Sequence, residues 1–237
     1  MLQIRHKKLC ALILILLIAP LSSFNNEHLE SISLRMEKRS LHKGRATVTV
    51  ADIYFQSEKG RLIKNYIKPE GKITIINRKG ELAIYNKENN TSYFEHYPDY
   101  NTEDNILFFI LSAEISVNGA NEMGFKLKNN EVADNKIITR WMPPPFMKHL
   151  FSLVEITYED QLPHLATYYD ENEKILVKVY FTDFETYQEL TIPATLTEFI
   201  YVNENDSIIN RVKFTDVQIN EKPNIELFDL ELPDNAM

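Results

Sequence analysis

The sequence predicts a mostly β protein of the α+β class, built on one curved antiparallel sheet with two helices. Three observations carry this. The stretch Gly71 to Tyr97, GKITIINRKGELAIYNKENNTSYFEHY, reads as three short strands joined by two tight turns. The second half of the chain repeats the same alternation of apolar and polar residues. No shift in composition and no linker interrupts the pattern, so one domain accounts for it. Side chains on a strand point to opposite faces with period two, and runs of this kind suit a sheet wet on one side.

In order, Glu27 to Lys38 is expected to be an amphipathic helix, with Leu29, Ile32 and Met36 at helical spacing. Gly44 breaks it. Ala46 to Phe55 is a strand whose apolar phase changes between Val48/Val50 and Ile53/Phe55, which predicts a bulge. Leu62 to Ile67 follows the turn at Ser57 to Gly60. In the meander, Ile73 and Ile75 share a face, as do Leu82 and Ile84. Arg78-Lys79-Gly80 and Asn86 to Asn90 supply its turns, because Gly and Asn tolerate positive φ.

Thr102 to Ala113 reads as a second helix, with Glu103 and Asp104 in its first turn, where the dipole favours negative charge. Its body, Ile106 to Leu111, is apolar all round, so it is buried or faces something apolar. Strands then follow at Phe125 to Leu127, Lys136 to Met142, Leu150 to Tyr158 and His164 to Tyr169. Ile175 to Phe181, Leu190 to Leu196, Phe199 to Val202 and Ile208 to Ile219 complete the series. Eight to twelve strands with short turns imply one continuous sheet, and so many curl into a barrel or half-barrel.

Residues 1–23 read as an export signal: Arg5, Lys7 and Lys8, then the apolar run Leu9 to Ala19, then Pro20 and Ser22-Ser23. The apolar run is shorter than the ~20 residues that span a bilayer. Residues 24–237 are then the exported domain. The single cysteine, Cys10, lies within the signal, so the exported part has neither disulfide nor thiol nucleophile. Export without disulfides leans towards a bacterial cell envelope. Without the three basic signal residues, 23 Lys and Arg face 34 Asp and Glu, a net charge of −11. Such a surface repels phosphate backbones, so nucleic acid is not an expected partner.

The six histidines show no metal-ligand spacing, and six glycines leave little for a phosphate cradle. No Gly-x-Ser-x-Gly or His-Glu-x-x-His occurs. No enzyme activity, metal or cofactor is therefore expected. Two apolar segments stand out. Trp141-Met142-Pro143-Pro144-Pro145-Phe146-Met147 cannot be a central strand, because proline lacks a backbone donor. It is either a loop packed over the mouth of the sheet or the apolar lip of a ligand cavity, where Met suits a greasy ligand. Phe108, Phe109 and Ile110 of the second helix either fill the concave face or line a cavity beneath it. With Leu82 and Ile84, or alternatively Ala83 and Tyr85, the meander presents an apolar face to the same place.

The wording Lys79-Gly80-Glu81-Leu82-x-Ile84-Tyr85-Asn86, with the close Phe214-x-Asp216-Val217-x-Ile219-Asn220 and Leu227-Phe228-x-Leu230-x-Leu232-Pro233, resembles the periplasmic outer-membrane lipoprotein carrier (LolA-like) family. The resemblance covers nearly the whole exported chain. It implies an incomplete β-barrel whose concave face is covered by helices. It also implies a non-catalytic periplasmic carrier that shields the acyl chains of lipoproteins or other lipids on their way to the outer membrane. Inner- and outer-membrane partner proteins and a monomeric chain go with that reading. Exposed acyl chains cost ~0.8 kcal/mol per methylene, which is what such a cavity would offset. No counterpart of the carriers' lid-anchoring arginine is placed, Arg45 and Arg61 being candidates only, and the triple proline departs from the family pattern. The alternative is an envelope protein-interaction module with a filled core.

Overall fold

Period-two strands joined by short turns organise the described chain. The computed structural model describes residues 29–57, 60–77, 81–96, 107, 124–188 and 190–221. Among these, thirteen strands form one antiparallel sheet. The first six are β1 (Ser31–His42), β2 (Arg45–Gln56), β3 (Arg61–Lys68), β4 (Lys72–Asn77), β5 (Glu81–Asn86) and β6 (Thr91–His96). The rest are β7 (Lys126–Ala133), β8 (Lys136–Met142), β9 (Leu153–Glu159), β10 (Leu162–Tyr169), β11 (Ile175–Tyr187), β12 (Leu190–Asn203) and β13 (Asp206–Ile219).

The strand order is β6-β5-β4-β3-β2-β1-β13-β12-β11-β10-β9-β8-β7. Every neighbour in the sheet is also a neighbour in sequence, except at the centre, where β1 pairs with β13. The edges are β6 and β7, so the sheet is curved but unclosed. Three hairpins turn through two consecutive residues at positive φ: Lys43-Gly44, Asp134-Asn135 and Asp160-Gln161. This is the type I′ geometry whose twist matches that of the strands it joins. Register shifts bend the sheet at Ser33/Arg35 and Pro163/Leu165. The bulge expected in Ala46 to Phe55 is found as a shift between Val50 and Ala51 against β3.

The main core lies on the concave face. Ile32, Leu34 and Met36 of β1 meet Ala51, Ile53 and Phe55 of β2, all fully or almost fully buried. The same cluster runs through Val212 and Phe214 of β13 and Val179 and Phe181 of β11 to Trp141 of β8. Each large side chain of this kind contributes ~1.5–3 kcal/mol by leaving water.

Three expectations are corrected. Glu27 to Lys38 is not a helix: its described part enters β1. Leu29, Ile32 and Met36 fit a helical period, but Ile32, Leu34 and Met36 fit a strand equally well, and pairing with β2 and β13 decides. The meander is not wet on one side. Leu82 packs on the concave cluster, while Ile63, Ile73, Ile75 and Ala83 form a second buried cluster with Tyr54 on the opposite face. The expected helical cover is not seen among the described residues. Of Thr102 to Ala113 only Leu107 is described, helical and buried in the concave cluster; Phe108, Phe109 and Ile110 lie outside the described residues. The other helical piece is a single 3-10 turn, Pro145–Met147.

Candidate functional site

The concave face is the one surface to which most strands contribute, and the sequence-predicted site residues distribute around it unevenly. Trp141 is buried in it. Its indole Nε1 donates to Thr139 Oγ1 at 2.8 Å, and the Thr139 hydroxyl lies 3.4 Å from the Ile156 carbonyl. Met142, the next residue along β8, points the other way and is exposed, as the strand period demands. Pro143 and Pro144 end β8, and Pro145 opens the 3-10 turn, where its missing N–H costs nothing. That turn carries Met147 into the core and rests Phe146 half-buried against it. Leu82 also packs on this cluster. Ile84 shares the face of Leu82 and is half-buried beside it. The structure therefore brings Trp141, Phe146, Met147 and Leu82 to one apolar cluster and leaves Met142 outside it.

Gly124 shows how closely the proline segment is held. Its φ is +82°, and a Cβ there would stand 3.3 Å from Pro144 Cβ. Phe125, next in line, stacks on Phe151 at 6.3 Å between ring centroids, and Phe151 meets the Tyr168 ring edge-on at 5.0 Å. Burial pushes the Tyr158 phenol up to about 12, opposed by its hydrogen bond to Thr139. Burial pushes Tyr168 up further, and the charge of Glu198 adds to this. Both rings are thus neutral parts of a dry wall.

Polar groups on this face are few and placed. Glu198 and Asn210 are buried, and Asn210 Nδ2 donates to Glu198 Oε2 at 2.6 Å. Asn210 Oδ1 is buried with no hydrogen-bond partner. In the other wing Lys64 is fully buried opposite Thr74, whose buried hydroxyl also lacks a partner. Sequence reasoning missed these four. The signal was present: Glu198 continues the inward phase of Ile192, Ala194 and Leu196, and Asn210 that of Phe214 and Val212. No group of three or more His, Cys, Asp or Glu able to hold a metal ion occurs among the described residues.

No family model and no curated protein matches the sequence. Solved structures do match the fold. A DUF1329 family protein from Desulfovibrio piger aligns with a TM-score of 0.63 at 11% identity, over 86% of this chain and 91% of that one. A domain described as a putative outer membrane lipoprotein-sorting protein, from Vibrio parahaemolyticus, aligns with a TM-score of 0.63 at 8% identity, over 84% and 89%. A LolA superfamily protein from Nitrosomonas europaea aligns with a TM-score of 0.60 at 10% identity, over 84% and 90%. At such identities the likeness speaks for architecture: the curved, unclosed antiparallel sheet that the sequence resemblance implied, without the helical cover, which is not seen among the described residues. This chain has the LolA-like fold.

Proposed function

We propose that the protein is a non-catalytic carrier of the bacterial envelope that shields acyl chains of lipoproteins or other lipids on the concave face of its sheet. One observation carries the reading: among the described residues, an unclosed sheet of thirteen strands whose concave face carries one apolar cluster from β4 to β8. An open sheet that keeps so much apolar surface on one face has the form required to hold a flexible apolar chain away from water. Trp141, Phe146, Met147 and Leu82 contribute to this wall. Phe108, Phe109 and Ile110 belong to the proposed lining on sequence grounds. The fold shared with the Vibrio parahaemolyticus domain, described as an outer membrane lipoprotein-sorting protein, and with the LolA superfamily protein of Nitrosomonas europaea supports a periplasmic setting between two membranes.

Protein purified from an envelope fraction and sprayed under native conditions is expected to carry lipid of discrete mass, and to take up a fluorescent fatty acid when stripped. No bound lipid and no uptake would sink the proposal. The second reading, an interaction module with a filled core, draws on the tight burial of Trp141, Met147 and Phe151. It predicts neither lipid nor uptake, together with retention of a protein partner.

A further inference from the structure

The concave face is not uniform along the strands. From one end of β1 to the other its inward residues run Ile32, Leu34, Met36, then Lys38, Ser40 and His42. Their β2 partners run Phe55, Ile53, Ala51, then Thr49, Thr47 and Arg45. On the other side β13 runs Phe214, Val212, then Asn210, which sits opposite Ser40 of β1 and Glu198 of β12. The face is therefore apolar over most of its length and polar at one end. That end opens to solvent: Thr47 is exposed, and Lys38, Ser40 and Thr49 are half-buried. Just inside it, Glu198 and Asn210 are buried at 5% and 6% exposure.

The Glu198 carboxylate fixes the Asn210 amide. Nδ2 must face Glu198 Oε2, since the reverse orientation would set two acceptors against each other. Asn210 Oδ1 is thereby turned away as an acceptor with no hydrogen-bond partner. A buried acceptor left unmade is costly, and such a group marks where a donor belongs.

Resting on the carrier reading, we propose that Asn210, oriented by Glu198, is the head-group subsite of the concave face. It takes an acyl-chain ligand whose polar end donates N–H or O–H, such as a neutral amide or hydroxyl, to Asn210 Oδ1. The acyl chain then runs along Val212 and Met36 towards the apolar end. Lys38 faces the same end, and Arg45 shares that face further out, opposite His42; their charges favour a carboxylate instead, so the test must separate the two.

The test uses displacement of the neutral probe N-phenyl-1-naphthylamine by three ligands sharing one twelve-carbon chain: the primary amide, its N,N-dimethyl amide and the carboxylate. The wild type is expected to bind the primary amide about tenfold more tightly than the dimethyl amide, the worth of one buried hydrogen bond. Asn210→Leu should bring the two amides to parity. Glu198→Gln, which keeps the shape but loosens the amide's orientation, should narrow the gap; it serves where Asn210→Leu fails to fold. Equal binding of both amides by the wild type, or a preference that survives Asn210→Leu, overturns the assignment. So does tightest binding of the carboxylate that Lys38→Met abolishes. In these cases the chains still bind and the carrier reading stands. If neither probe nor any chain binds, the carrier reading falls and this inference with it.

Discussion

The Trp141 indole and the Thr139 hydroxyl are held 2.8 Å apart on the inward face of β8, both buried, so the bulkiest core side chain is also hydrogen-bonded there. Trp141→Phe keeps most of the packing but removes the N–H. It is expected to cost about 1–2 kcal/mol. Trp141→Ala adds a cavity and is expected to cost about 3–5 kcal/mol. Urea unfolding followed by far-ultraviolet circular dichroism checks both. A Trp141→Ala protein as stable as the wild type would contradict this placement.

Asn220 ties the end of the described sheet to its beginning. Its Oδ1 accepts from Glu30 N at 2.8 Å and Ser31 N at 3.2 Å, and its own N donates to Ser31 O at 2.9 Å. Its φ is +55°, a conformation asparagine tolerates better than most residues. Asn220→Ala loses the side-chain bonds and strains the backbone, for an expected loss of about 2–3 kcal/mol. Asn220→Gly loses only the bonds and should recover about 1 kcal/mol of that. Denaturant midpoints of the two variants decide it; a glycine variant no better than alanine contradicts the backbone part.

Across β7, β8 and β9 the Arg140 guanidinium bridges Glu131 at 2.9 Å and Glu155 at 2.7 Å. Its hydrogen bond, and then its charge, hold the Glu131 carboxyl below the usual glutamate value of 4.5. The folded state thus binds the Glu131 proton less tightly than the unfolded chain does. Its contribution is present above pH 4.5 and is lost as the pH falls through the lowered folded value. Arg140→Met should flatten the fall in melting temperature below pH 4.5. Parallel melting curves for wild type and variant from pH 6 to 3 would rule this out.

The buried phenols act at the opposite end of the pH scale. Burial raises Tyr158 to about 12, opposed by its Thr139 hydrogen bond, and raises Tyr168 further, helped by the charge of Glu198. The unfolded chain ionises these rings near 10, before the folded protein does. Their contribution is whole below pH 10 and is lost as the pH rises towards their folded values. Tyr158→Phe should therefore weaken the alkaline fall in stability. Absorbance at 295 nm should show exposed tyrosines ionising ahead of these two; a single step including all of them would contradict their burial.

The strands were legible because period-two alternation is local. The meander, Lys136 to Met142 and Ile208 to Ile219 all appear within a few residues of where the pattern put them. β1 was not legible, since its apolar residues satisfy both periods and one of its two partners, β13, lies far along the chain. The second cluster around Ile63 and Ile75 was hidden for a related reason. In a wing buried on both faces, neither phase is polar, so the alternation does not say which face is inside. At the site, Trp141 and Met147 announced themselves as apolar residues in an odd context. Glu198 and Asn210 did not, because polar residues on a strand read as its wet face until register assigns the side.

Pairing of the first described strand with the last has a consequence for the order of events as the chain is made. β2 to β6 can zip onto β1 as soon as they exist, but the other edge of β1 has no partner until β13 arrives. Throughout that interval Ile32, Leu34 and Met36 line an open edge of a half-finished sheet, a place where strands of other chains can add. The second edge of β1 therefore waits for β13, and a chain interrupted before that strand keeps this edge, at the centre of the finished sheet, open to other strands.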